Sequence, residues 1–206
     1  MTKYINLKTK RGSARDKALT PTEKRKVENE LKHEQTRVAY YLAAYAGLRP
    51  GEVCQCRFSW LEFLYINEEE VLAIHIPKED KDSRNKKKIW RPKRDKARTT
   101  YIFNLKVAYE IYFWLKSNPD GLQISRQALD TRIKKFIGII IGRNISGHAL
   151  RATAQNYLRN ELGLEPLFIQ YVLGHEDPKT TLEHYNTLNR ANMESYLERE
   201  LKTKKN

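Results

Sequence analysis

Apolar residues recur every three or four positions in the first quarter of the chain, which is the spacing of one face of a helix. The sequence Thr20-Pro21-Thr22-Glu23 is a capping box with proline at the first helical position. Helices are therefore predicted over residues 20–32, 34–46 and 50–60, and Gly47 can end the second of them. Residues 1–19 are polar and rich in Lys and Arg, which predicts a flexible basic arm.

The middle of the chain has a different pattern. Residues 71–76 and 99–103 are rich in branched and aromatic side chains, which favours two strands. The strongly basic stretch between them, residues 78–98, is unsuited to a core, because Lys and Arg are almost never fully buried unless paired. It predicts a long hairpin or a small meander with a mobile tip.

Helical spacing returns after Asn104 and continues to the end of the chain. Helices are predicted from 104 to a turn at 118–121, over 125–141, 146–162 and 166–173, from about 180, and over 191–201. The predicted fold is α+β and mainly helical, with a small antiparallel β-sheet.

Composition narrows the possible functions. A chain of 206 residues suits one domain with short flanking arms, and 40% hydrophobic residues are enough for a core. Lys and Arg number 39 against 25 Asp and Glu, so the net charge is +14. This surplus favours a polyanionic partner, nucleic acid first and an anionic membrane surface second. No apolar run is long enough to span a bilayer, and neither a secretory signal nor a membrane role is predicted.

The two cysteines predict neither a disulfide nor a zinc site. Cys54 and Cys56 lie two residues apart in a predicted helix, where their side chains point to different faces, and no second pair completes a metal site. We expect two small core or surface thiols, and a protein of the cytoplasm, where DNA and RNA are available.

Three local patterns could carry chemistry. In the first, Arg49 stands between two predicted helices, before Pro50 and Glu52. A guanidinium beside a helix N-terminus favours a phosphate, although an arginine that caps the preceding helix is an equal alternative. In the second, His148 and Arg151 are three residues apart, so both can reach one target from the same helical face.

The third pattern is Leu173-Gly174-His175, followed ten residues later by Tyr185. A histidine after a glycine turn precedes a predicted short helix that ends in an aromatic hydroxyl. In isolation, a packed core tyrosine is the simpler interpretation of Tyr185, since tyrosine is commonly half-buried.

Together and in this order, the three patterns resemble the tyrosine recombinase (phage integrase) family, over roughly residues 20–190. The resemblance implies a catalytic domain over 20–190, preceded by the basic arm 1–19 and followed by a C-terminal helix and basic tail over 191–206. It implies that Glu52 supports the site. The catalytic residues that it implies are Arg49, Lys93, His148, Arg151, His175 and Tyr185.

The lysine is placed by its surroundings. In the family it lies on a β-hairpin a few residues before an arginine and a strand, and Trp90-Arg91-Pro92-Lys93 followed by Ala97-Arg98-Thr99-Thr100 is similar. Lys93 is the predicted residue and Lys96 the reserve. Basic side chains of this stretch are predicted either to follow the DNA backbone or only to be solvated, namely Lys86, Lys87, Lys88, Arg91, Arg94 and Lys96.

The resemblance implies a site-specific recombinase or integrase of a virus or mobile element, which cuts and rejoins double-stranded DNA through a 3′-phosphotyrosyl intermediate. It implies no metal or other cofactor, no use of ATP, and a homo-oligomer, a tetramer when assembled on DNA. The alternatives are a DNA-relaxing enzyme similar to type IB topoisomerases and a non-catalytic basic DNA-binding module.

This sequence departs from the family pattern in two respects. The interval from His175 to Tyr185 is one residue longer than in much of the family. Arg49 also comes too early for the separate DNA-binding domain that precedes the catalytic domain in many members. We therefore expect a catalytic-domain fragment or a short natural form that binds DNA weakly by itself.

Overall fold

The computed structural model describes residues 18–66, 68–81, 89–92 and 96–174. In its first part, α1 (Pro21–Glu30), α2 (Glu34–Ala44) and α3 (Pro50–Gln55) precede a short 3₁₀ turn (Phe58–Trp60). The capping box at Thr20 forms as predicted: Glu23 N donates to Thr20 Oγ1 at 3.2 Å, and Thr20 N donates to Glu23 Oε2 at 2.9 Å. Helix α2 is buried almost all round and packs against α3, α4 and α7, which places it at the centre of the domain.

A small antiparallel sheet follows, with strand order β1-β2-β3. Its strands are β1 (Leu61–Ile66), β2 (Glu69–Ile76) and β3 (Arg98–Ile102). Leu61 pairs with Ile74 across β1 and β2, and Ile74 pairs with Thr100 across β2 and β3. The Thr100 hydroxyl donates to the Ala46 carbonyl at 2.6 Å, so the sheet is tied to the chain just beyond α2.

The remaining helices complete the domain. They are α4 (Leu105–Ser117), α5 (Arg126–Arg132), a π-helical segment (Ile133–Gly138) that leads into α6 (Ile139–Ile141), α7 (Gly147–Asn156), a second π-helical segment (Tyr157–Glu161), and α8 (Pro166–Leu173). Asn104, Ser125 and Ser146 cap α4, α5 and α7 through their side chains. The predicted α+β fold, mainly helical with a small antiparallel sheet, is confirmed.

The prediction for residues 50–60 is wrong in part. Helix α3 ends at Gln55, because the backbone at Cys56 turns to the extended conformation and meets the 118–121 turn. Phe58 N donates to the Pro119 carbonyl at 3.0 Å, and a Cβ on Gly121 would lie 2.0 Å from the Cys56 carbonyl oxygen. The strand β1 that follows was not predicted.

The base of the basic stretch is closed by a backbone bridge. Asp80 N donates to the Trp90 carbonyl at 2.9 Å, and Trp90 N donates back to Asp80 at 3.1 Å. The Asp80 carboxylate accepts a hydrogen bond from Gln55 Nε2 at 3.1 Å and forms an ion pair with Arg57 at 3.1 Å. The antiparallel arrangement of β2 and β3 agrees with the predicted hairpin or meander. The predicted mobile tip falls on residues 82–88 and 93–95 or their neighbours, and both of these ranges lie outside the described residues.

Cys54 is half-buried and Cys56 is buried, and neither forms a disulfide within the described residues. No helix among the described residues has the length and hydrophobicity needed to cross a bilayer. The helices predicted from about 180 and over 191–201 fall outside the described residues.

Candidate active site

Two arginines that are distant in sequence meet at the carboxyl end of α8. Arg49 precedes α3, and its Nη2 donates to the Gly174 carbonyl at 2.7 Å. Arg151 lies on α7, and its two terminal nitrogens donate to the carbonyls of Gly47 and Leu173. The end of α8 is thus held by both guanidinium groups, directly before His175 in the sequence.

Close packing at Gly47 makes this meeting possible. Gly47 has φ +64°, and a Cβ there would lie 2.1 Å from Leu173 Cδ2. Only glycine adopts this conformation readily and leaves room for α8 at such a distance. The turn that ends α2 therefore has two roles: its Gly47 carbonyl accepts a hydrogen bond from Arg151, and Leu173 packs against it.

A buried carboxylate organises the arginines. Glu52, 2% exposed, accepts Arg49 N at 2.6 Å and Arg49 Nη1 at 3.0 Å. Arg98 binds the same carboxylate in forked geometry, with Nη1 at 3.2 Å from Oε1 and Nη2 at 2.8 Å from Oε2. The alternative in which Arg49 caps the preceding helix is not what forms: Arg49 binds Glu52 and Gly174 instead.

Arg98 was not among the predicted site residues. It is the first residue of β3, and the sequence analysis treated it only as a landmark beside the predicted lysine. A signal was available, because Arg98 directly precedes the predicted strand 99–103, and an arginine that leads into a core strand is either exposed or paired with a carboxylate. Its partner, 46 positions earlier in the chain, could be found only from the fold.

The cluster has a surplus of positive charge. Arg49, Arg98 and Arg151 bring three cations against the one carboxylate of Glu52. Burial, together with the neighbouring Arg98 and Arg49, lowers the pKa of Arg151 from 12.5 to about 9, and Glu52 opposes this shift. Burial is also the main cause that lowers the pKa of Arg98 to about 10. Such a site favours an oxyanion, which would relieve the repulsion among its cations.

The other predicted residues are placed as follows. His148 is exposed in the first turn of α7, three residues before the buried Arg151. Lys96 is exposed, and Arg91 is exposed and pairs with Glu79 at 3.4 Å. The remaining predicted site residues lie outside the described part of the chain: Lys86, Lys87, Lys88, Lys93, Arg94, His175 and Tyr185.

The described residues contain no cluster of three or more His, Cys, Asp or Glu side chains that could hold a metal ion. The chemistry that the described cluster offers is the binding of an oxyanion, such as a phosphate oxygen, by the guanidinium N–H donors that the internal contacts leave over.

Comparison with known proteins agrees with this fold. A crystal structure of XerA recombinase superposes with a TM-score of 0.55 at 22% sequence identity, covering 87% of this chain and 63% of that one. XerH site-specific recombinase, in a pre-cleavage complex with its difH substrate, superposes with a TM-score of 0.54 at 16% identity, covering 84% of this chain and 54% of that one. These likenesses show the fold.

The chain spans less than two thirds of the length of either recombinase. No curated protein matches it in sequence. The model of the phage integrase family, in contrast, matches residues 17–192, which is most of the chain. This match includes all three motifs and the arginine cluster, and the chain therefore belongs to the phage integrase family.

Proposed function

We propose that this chain is a site-specific DNA recombinase that cuts and rejoins DNA through a 3′-phosphotyrosyl intermediate. One observation carries the proposal: Arg49 and Arg151, from separate motifs, both donate to the carboxyl end of α8, immediately before His175. The catalytic residues of the family's motifs would thus be assembled around one phosphate. Membership of the phage integrase family supports the same reaction.

The two arginines bind and polarise the phosphate that is cut. A guanidinium carries five N–H donors, so the carbonyl contacts of Arg49 and Arg151 leave further donors for the non-bridging oxygens. Charge that develops on these oxygens in the transition state is stabilised by cations already held in place. The repulsion among these cations is offset in the folded protein mainly by the ion pairs that Glu52 forms with Arg49 and Arg98.

The covalent step exchanges one phosphate ester for another. The phenolic oxygen of Tyr185 attacks phosphorus, its proton passes to His148, and the bond from phosphorus to the 5′ oxygen breaks. Lys93 gives its proton to the departing 5′ oxygen, because an alkoxide is a poor leaving group. His175 donates a hydrogen bond to a phosphate oxygen. The products are a 3′-phosphotyrosyl link and a free 5′ hydroxyl.

The reverse step rejoins the DNA. A 5′ hydroxyl from another strand gives its proton to Lys93 and attacks the phosphotyrosyl ester, and the tyrosine leaves with a proton returned by His148. The phosphotyrosyl ester keeps the free energy of the phosphodiester bond that was broken, so no ATP is required in this proposal. No metal ion is required in it either, because Arg49 and Arg151 stabilise the charge on the phosphate. Exchange between two duplexes would take place in a tetramer of this chain on DNA.

Two tyrosines that follow Arg151 within the described residues, Tyr157 and Tyr171, are less suited to the attack. Burial raises the pKa of both Tyr157 and Tyr171, which disfavours the phenolate that must form. This supports Tyr185 as the nucleophile. An unperturbed phenol has a pKa of about 10, so Tyr185 itself needs the help of His148 and of the positive field.

The basic stretch would bind the DNA backbone next to the cut. Exposed Arg91 and Lys96 flank the end of the stretch, and the net charge of +14 supplies attraction that is independent of DNA sequence. We propose double-stranded DNA as the partner and the cytoplasm as the compartment. An origin in a virus or mobile element stays a prediction.

The proposal is tested by trapping the covalent intermediate. A pool of nicked duplexes with randomised sequence around the nick is incubated with the protein in EDTA and without ATP, and products are separated under denaturing conditions. Loss of the short strand beyond the nick prevents religation, so a protein–DNA adduct accumulates. We expect the adduct with the wild-type chain and with the control Tyr171→Phe, and none with Tyr185→Phe.

The absence of an adduct with the wild-type chain, or an undiminished adduct with Tyr185→Phe, contradicts the proposal. Trapped sequences are then cloned in pairs on a supercoiled plasmid. Exchange between the paired sites supports a recombinase. Relaxation of the plasmid without exchange supports the topoisomerase-like alternative, and binding without either supports a non-catalytic module.

A further inference from the structure

Arg98 is tied to the catalytic arginines through a single carboxylate. Both oxygens of Glu52 accept from Arg98, at 3.2 Å and 2.8 Å, and both accept from Arg49, at 3.0 Å from its Nη1 and 2.6 Å from its backbone nitrogen. Four donors therefore fill the lone pairs of one buried carboxylate. The orientation of Arg49 depends on where Arg98 holds that carboxylate.

Arg98 also lies against the turn that ends α8. A Cβ on Gly174 would lie 2.8 Å from Arg98 Cδ and 2.9 Å from its Nε, and the Gly174 carbonyl is the group that Arg49 binds. The Arg98 side chain is 8% exposed and its buried Nε has no hydrogen-bond partner among the described residues. Arg98 thus packs between Glu52 and the segment that leads into His175.

The position of Arg98 in the chain adds a third connection. It opens β3, directly after the stretch that contains Lys93 and Lys96. Because its guanidinium is pinned to Glu52, the start of β3 is held at the arginine cluster. One side chain therefore joins the segments that carry Arg49, the predicted lysine and His175.

We infer that Arg98 is a positioning residue for strand cleavage: through Glu52 it fixes the guanidinium of Arg49, and through its stem it fixes the turn before His175. It contacts no substrate in this inference, which rests on the proposed function. A lysine cannot replace it, because an ammonium is a point donor and cannot bind both carboxylate oxygens as a planar fork does.

The first test is Arg98→Lys, which keeps the charge and removes the fork. DNA affinity is measured by fluorescence anisotropy on an intact duplex that carries a sequence recovered from the covalent trap. It should stay within about threefold of wild type, because the net charge is unchanged. The rate of adduct formation at saturating DNA should fall about 100-fold, the usual consequence of a misplacement of about 1 Å. A rate within threefold of wild type overturns the inference.

Arg143→Lys is the matched control. Arg143 also binds a carboxylate with two nitrogens, at 2.7 Å and 2.8 Å on Glu23, but it joins α1 to the turn after α6 rather than to the site. We expect this variant to lose thermal stability and to keep the wild-type cleavage rate. If Arg98→Lys and Arg143→Lys lose the same thermal stability and also form the adduct at equally reduced rates, the role of Arg98 is only structural and the inference fails.

A double-mutant cycle separates positioning from general damage. If Arg98 acts through Arg49, then Arg98→Lys should slow cleavage by no more than about threefold in an Arg49→Lys background, because the interaction is already lost. A full and independent 100-fold penalty in that background overturns the inference. Should Arg98→Lys fail to fold, Arg98→Met, which keeps an unbranched stem beside Gly174 and removes the donors toward Glu52, is carried through the same cycle with the same expectation.

The outcomes also separate this inference from the proposed function. If the wild-type chain forms no adduct, the proposed function fails before any Arg98 variant is measured. If it forms a Tyr185-dependent adduct and Arg98→Lys forms it equally fast, only the positioning role is rejected.

Discussion

Removing the negative charge of Glu52 should destabilise the folded domain strongly. In Glu52→Gln, the amide oxygen can still accept hydrogen bonds, but the amide nitrogen faces donors of Arg49 and Arg98 at the former Oε1 or Oε2 position. Two hydrogen bonds to a buried carboxylate are therefore lost, and three neighbouring cations are left without their counter-charge.

The magnitude follows from the kind of interaction that is broken. A hydrogen bond to a charged group contributes about 1.5–3 kcal/mol, and removal of one partner of a buried ion pair costs about 3–5 kcal/mol. We expect Glu52→Gln to lower the free energy of unfolding by about 3–5 kcal/mol at pH 7. Urea unfolding followed by far-ultraviolet circular dichroism measures this loss.

Glu79→Gln is the control for the same chemical change. Glu79 pairs with Arg91 at 3.4 Å, and both side chains are exposed, at 39% and 53%, so water replaces the lost interaction and a cost below about 1 kcal/mol is expected. Inorganic phosphate should also stabilise Glu52→Gln more than wild type, because it supplies the missing negative charge. A loss below about 1 kcal/mol for Glu52→Gln would refute the view that this carboxylate holds the cluster together.

The remaining predictions concern cleavage, packing and pH. Arg151→Ala should reduce the rate of adduct formation by about 10²–10³-fold, because a donor that stabilises the transition state is lost. DNA affinity should stay nearly unchanged, since other cations still bind DNA. A large loss of affinity in an anisotropy titration would instead make Arg151 a docking residue. Gly47→Ala should destabilise the domain by at least about 1–3 kcal/mol, from its φ of +64° and the 2.1 Å approach to Leu173, and a thermal midpoint equal to wild type would contradict this packing. Arg143 holds the pKa of Glu23 at about 2, below its ordinary 4.5, so Glu23→Gln should cost about 1 kcal/mol at pH 7. Because the folded pKa is depressed, that difference should shrink as pH falls from about 4.5 toward 2, and a constant difference across a pH series of urea titrations would count against the ion pair.

Local signals in the sequence were sufficient for most helices and for two strands. Thr20, Asn104, Ser125 and Ser146 cap helices where the sequence predicted helix starts, since a capping side chain bonds to backbone only two or three residues away. Strand β1 was missed because Leu61–Ile66 has too little alternation to separate a strand from a buried helix. Its identity depends on pairing with β2, which is a tertiary contact.

The candidate site also has a part that short motifs in the sequence predict and a part that depends on tertiary contacts. The sequence by itself determined the family resemblance and singled out Arg49, His148 and Arg151, because each stands in a short motif whose residues are neighbours in the chain. Only the tertiary structure decided that Arg49 and Arg151 converge on the end of α8 and that Arg98 shares Glu52 with Arg49. The physical reason is that the pairing of buried charges depends on which segments the core packs together, and no local pattern records that choice.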